Sequence, residues 1–148
     1  MPNPAHVHLI LNHVPVIGVA LGILLLVLAL FRKSQELKKI SLGFFVLMGA
    51  AAVPAFLTGE PAEGIVKDLP GVSRDMIERH EEAALAALIV LIVLGVCCLA
   101  ALYVFRRAPA MPVWVMGVVL VLSIVSGGLM AYTANLGGQV HHQELRAP

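Results

Sequence analysis

Residues 83–105 read AALAALIVLIVLGVCCLAALYVF, 23 consecutive positions without a charge, a proline or a side-chain amide. A helix crossing the hydrocarbon core of a bilayer needs about 20 such residues. A buried strand is far shorter, about 4–8 residues. Backbone groups in lipid must find their partners within the segment, so the stretch predicts a spanning helix. The apolar–polar alternation of a barrel strand is absent.

Three further stretches have the same character, at about 14–31, 40–57 and 113–132, and none holds Lys, Arg, Asp, Glu or His in its interior. The connections at 32–39 and 106–112 are short, and short connections make antiparallel neighbours. The expected fold is therefore all-α: a polytopic membrane protein, one transmembrane domain over residues 1–148, built as a four-helix up-down bundle. The middle connection, 58–82, is longer. It contains Pro61, Pro70 and Gly71, then a helix-like run over 73–82 for which Ser73 is a suitable N-cap. A short interfacial helix is expected there, between spans 2 and 3 and leading into the third. Gly137-Gly138, after Asn135, reads as a helix stop and turn.

Composition agrees with this reading. Of 148 residues, 59% are hydrophobic and only 13% charged, where soluble domains carry about 25% charged residues. Mean hydropathy is +0.93. A soluble enzyme, a disordered chain and a disulfide-rich module are all disfavoured. A net charge of +1 without a basic cluster gives nucleic-acid binding no support. Cys97 and Cys98, adjacent in the third span and far from any histidine, read as small packing residues. Gly18 and Gly22, and Ser123 and Gly127, are small pairs four apart that permit close helix contact. There is no Walker loop, dinucleotide fingerprint, serine elbow, HExxH or paired ExxH. The spans lack the mid-membrane charges of a transporter or channel.

Lys and Arg in short loops set orientation. Arg32, Lys33, Lys38 and Lys39 fill the first connection, and Arg106 and Arg107 the last. Both are expected in the cytoplasm, which puts both termini on the outer side, the periplasm of a bacterial inner membrane. The first apolar run has no positive region before it and no cleavage pattern after it, so it is not read as a signal peptide.

With that topology all six histidines, His6, His8, His13, His80, His141 and His142, share the outer face. Eight acids lie there too: Glu60, Glu63, Asp68, Asp75, Glu78, Glu81, Glu82 and Glu144; only Glu36 is inside. Interfacial histidine can simply be solvated, and Glu60 and Glu63 can simply favour the start of a helical turn. The chemical reading is ligation, because neutral imidazole is the commonest metal ligand and also binds haem iron. His13, opening the first span ahead of Pro15, His80, opening the third, and His142, just past the fourth, are expected to converge. His8 and His13, five apart, point about 140° apart on a helix and do not suit one ion together. His6 and His141 suit solvated surface positions. Glu60 and Glu63 are candidate metal ligands, or partners for the far nitrogen of a ligating histidine.

HLILNHVP (residues 8–15), TGEPAE (58–63), His80-Glu81 and Gly137-Gly138 followed by His142 and Glu144 together resemble the signature of a family of small four-helix bacterial membrane proteins of unknown function. That family is similar to small b-type cytochrome membrane domains, and some members are joined to iron–sulfur electron-transfer domains. The resemblance implies haem b and electron transfer near the outer membrane face.

The expectation is a small membrane redox protein. His13 and His80 are first-choice ligands, with His8 and His142 as alternates or ligands of a second centre and Glu60 and Glu63 beside them. Its partners would be the lipid bilayer, a quinone or periplasmic electron carrier, and a larger respiratory or photosynthetic complex or further copies of itself. The alternative is a non-catalytic accessory subunit holding a structural non-haem metal ion, zinc or copper, or none. A membrane-embedded metalloenzyme would need an open coordination position.

Overall fold

The computed structural model describes residues 3–141. They form five helices, α1 (Pro4–Phe31), α2 (Gln35–Leu57), α3 (Gly59–Val66), α4 (Arg74–Val104) and α5 (Val113–His141), with no strand among the described residues. Four helices are long and apolar enough to cross a membrane, α2 being taken together with α3.

Local chemistry sets the helix ends. Asn3 accepts the Ala5 amide at 3.0 Å ahead of Pro4, which is suited to a first helical position. Ser34 caps α2 through the Leu37 amide, and Ser73 caps α4 through that of Met76, each at 3.3 Å. Between α1 and α2, Lys33 takes the left-handed conformation (φ 52°). Its amide bonds the Leu30 carbonyl and that of Ser34 bonds Ala29, the paired closure of a Schellman turn.

The interior is a single apolar cluster. Val19 and Leu26 of α1, Leu42 and Phe45 of α2, and Leu91, Leu94 and Cys98 of α4 are fully buried, with Val119 of α5 nearly so. Leu24, Leu47, Val96 and Val121 are exposed on the outside. Such helices are apolar all round, as lipid-facing helices are. Lipid is as apolar as leucine, so close packing holds the helices together. A Cβ on Gly49 of α2 would lie 3.2 Å from the Leu91 carbonyl oxygen of α4 and 3.7 Å from Cα of Gly95. α2 packs on both α1 and α4, α4 also on α5, and α3 folds against α1; the α1–α5 contact is narrower. At the end where α2 and α5 begin, Gln35 Oε1 accepts the Met111 amide at 2.9 Å and ties two turns together.

Two expectations are corrected. The run 73–82 is the first part of α4, continuous with the third span, because its Ser73 cap opens one uninterrupted helix. The separate short helix is α3, at 59–66. Gly137-Gly138 does not stop the fourth span: α5 runs through both to His141. Gly137 is small because a ring from α4 lies against it.

Candidate functional site: a histidine-lined cavity at one end of the bundle

A cavity of about 710 Å³ opens at the end of the bundle where α1 and α4 begin and α2 and α5 finish. Small residues make the room. Ala52, Ala55, Gly59 and Ala62 line it from α2 and α3, Ala84 and Ala87 from α4, and Ala134, Gly137 and Gly138 from α5. These recur at three- and four-residue spacing, one face of each helix.

His6, His8, His13 and His80 all line this cavity. Two of them meet. The rings of His8 (α1) and His80 (α4) have centroids 6.5 Å apart and planes at 89°. His8 Nδ1 lies 3.1 Å from the Ala55 carbonyl oxygen and 3.1 Å from Thr58 Oγ1. The Thr58 hydroxyl itself donates to Ala55 at 2.8 Å. His80 Nδ1 lies 3.1 Å from the Thr133 carbonyl oxygen of α5. A carbonyl only accepts, so the hydrogen of each neutral ring sits on Nδ1. Each Nε2 keeps its lone pair, the arrangement typical of metal-bound histidine.

Burial pushes both rings toward the neutral, ligating form. It lowers the pKa of His8 below the usual 6.5, against an opposing effect of the Ala55 hydrogen bond. It also lowers that of His80, with Thr133 opposing and the His8 ring adding to the fall. Both residues lie beyond the apolar stretches 14–31 and 83–105.

His13 is exposed, and its Nδ1 bonds the Leu9 carbonyl of its own helix. The partner of His80 is thus His8, not the first-choice His13, because His8 is on the α1 face turned toward α2 and α4. His6 is exposed, as read from sequence. His142 and Glu144 lie outside the described residues. Glu63, half-buried on α3, lines the cavity together with Glu81 of α4, whereas Glu60 is exposed and does not line it. Partial desolvation, and then the charge and hydrogen bond of Glu63 with the charges of Glu78 and Glu60, raise the Glu81 pKa. Among the described residues no three His, Cys, Asp or Glu side chains converge as a complete metal cage.

Sequence reading missed the carbonyls of Ala55 and Thr133, the Thr58 hydroxyl and the place of Glu81 in the cavity lining. The available signal was the small-residue spacing at the histidine end of each helix. Comparison with protein families, with curated proteins and with solved structures finds no match for this chain.

Proposed function

We propose that this chain is a small membrane redox protein that holds haem b, or another redox metal, between His8 and His80. The observation that carries the reading is this pair, with each Nδ1 engaged by a backbone carbonyl and each Nε2 left to ligate. With ring centroids 6.5 Å apart, His8 and His80 are near enough that they would hold one metal group between them.

The surroundings fit such a group. Cofactor sites measure about 300–1,000 Å³ and are mostly apolar, and the cavity of about 710 Å³ is lined chiefly by Ala, Gly and larger apolar residues. When bound, haem would supply a one-electron couple. The chain does the rest. His8 and His80 would hold the group, the Ala55 and Thr133 carbonyls orient the rings and would raise their basicity, and the apolar lining would exclude water.

The same reading sets the four spans up and down across a bacterial inner membrane. The cavity and both termini are at the periplasmic face, α3 lies at the interface, and the six Lys and Arg of the first and last connections are in the cytoplasm. Electrons pass to or from a larger respiratory or photosynthetic complex by way of a quinone or periplasmic carrier.

The test is an oxidised and a dithionite-reduced visible spectrum of detergent-purified protein. Sharp reduced bands of a b haem are expected. A featureless spectrum from cells grown with ample haem overturns the haem reading, and metal analysis then decides between zinc, copper and an empty subunit.

A further inference from the structure

The bundle is least closed between α1 and α5. There, Val16, Ala20 and Ile23 face Ile124, Gly127, Gly128 and Ala131 across a groove of about 520 Å³. All seven residues are apolar. A Cβ on Gly127 would meet Ile23 Cδ1 at 3.0 Å, so at this point the helices touch. A Cβ on Gly128 would meet nothing within 4 Å, so this position faces open space.

Val16 lines both this groove and the histidine cavity, so the two adjoin at this residue. The groove lies within the apolar stretches 14–31 and 113–132, at the depth of lipid tails. From Val16 to Ile23 the helix rises about 10 Å, roughly the length of two isoprene units. The shape is that of a narrow hydrocarbon slot beside a polar-rimmed chamber.

Charge selects the head group. Glu60, Glu63, Glu78, Glu81 and Glu82 lie on the helix segments at this end. Of the nearby cations Lys67, Arg74 and Arg79, the two arginines are already paired with Glu78 and Asp75, and the acids outnumber all three. A phosphate head meets repulsion there, and a neutral head does not. Asn12, one turn before Val16 on α1, lines the chamber and carries an amide that can donate to a carbonyl oxygen. A single slot also suits one tail, where a phospholipid has two.

We propose that the α1–α5 seam is the docking groove of an isoprenoid quinone, whose tail lies along Val16–Ile23 and Gly128 and whose head enters the histidine cavity beside Asn12. The proposal deepens the redox reading above and rests on it for the choice of a redox-active lipid.

The test compares binding of two probes to the purified full chain by equilibrium dialysis: a quinone with two isoprene units and the same quinone without a tail. Gly128→Leu fills the slot, and Gly117→Leu, also facing open space but outside the seam, is the control. Gly128→Leu is expected to weaken the tailed quinone by roughly tenfold, leaving the tail-less one and the visible spectrum unchanged, while Gly117→Leu changes neither. Equal binding of the tailed quinone by Gly128→Leu and wild type overturns the proposal. So does a wild type that does not distinguish the two probes. A photoreactive tailed quinone on the wild-type chain gives an independent answer should Gly128→Leu misfold. Labelling within 16–23 or 124–131 supports the groove, and labelling confined to α2 or α4 overturns it. If the redox reading alone fails, the spectrum is featureless while the tail-dependent binding persists. If the groove alone fails, the spectrum is intact and binding is indifferent to the tail.

Discussion

Gly137 of α5 stands against the imidazole of His80 on α4: a Cβ at 137 would lie 3.0 Å from His80 Cε1 and 3.4 Å from Nδ1. Gly137 is four residues after Thr133, whose carbonyl receives the same Nδ1. The bare backbone lets the ring reach that carbonyl, so one glycine sets where the histidine lies.

Gly137→Ala is therefore expected to displace the ring without unfolding α5. Alanine favours a helix interior over glycine by about 1 kcal/mol, so helix content holds or rises. Cofactor content per protein is expected to fall severalfold, whereas Gly117→Ala, where a Cβ meets nothing within 4 Å, leaves it unchanged. Far-ultraviolet circular dichroism and a haem or metal assay on the same samples check this; equal content in wild type and Gly137→Ala would show that the contact does not position His80.

The pairing of His8 with His80 makes a second prediction, distinct from the sequence expectation. His8→Ala and His80→Ala should each remove most of the bound cofactor and still insert in the membrane. His13→Ala should retain it, because His13 is exposed and bonds its own helix. The readout is the reduced-minus-oxidised spectrum at matched protein concentration. Loss in His13→Ala with retention in His8→Ala would restore the sequence-based pair.

The lowered pKa of both rings couples stability to pH. The unfolded chain takes up protons near 6.5 and the folded one only at lower pH. Stability from these groups is present above about 6.5 and is lost as pH falls from there through the lowered folded values. Glu81 acts in the opposite sense: its raised pKa stabilises below the usual 4.5 and that stabilisation is lost as pH rises through the folded value. Thermal midpoints in detergent between pH 7.5 and 5.5, measured on cofactor-free samples of wild type and of a His8→Gln/His80→Gln double variant, isolate the histidine part. Wild type should lose more stability on acidification, and parallel curves would contradict it.

Topology supplies the fourth prediction. A reporter active only in the periplasm, fused after Pro148, should be active, and the same reporter inserted near Lys38 should be silent. The reverse pattern would move the histidine cavity to the cytoplasmic face.

The fold was legible because its signal is local and repeated. A span declares itself by some twenty apolar residues, as 83–105 does, and no distant partner is needed to read it. The Ser73 cap, read from the sequence, acts within three residues and is equally local, as are the Asn3 and Ser34 caps that the structure adds. The run 73–82 was misjudged because a charged stretch and an apolar stretch can share one helix, and nothing in composition marks a break that does not exist. Gly137-Gly138 was misjudged because glycine serves both helix ends and close contacts, and only the position of the His80 ring tells which.

By itself, then, the sequence determined that the chain is helical and apolar enough to cross a membrane, and that its histidines gather at one end. Those properties follow from runs and spacings along one chain. Tertiary structure decided that His8 rather than His13 meets His80, that Ala55 and Thr133 fix their tautomers, and that alanines and glycines from four helices leave a cavity around them. The rotation of each helix about its axis is set by packing between helices. In lipid an apolar face turned inward and one turned outward look alike in sequence, so that rotation could not be read from hydropathy.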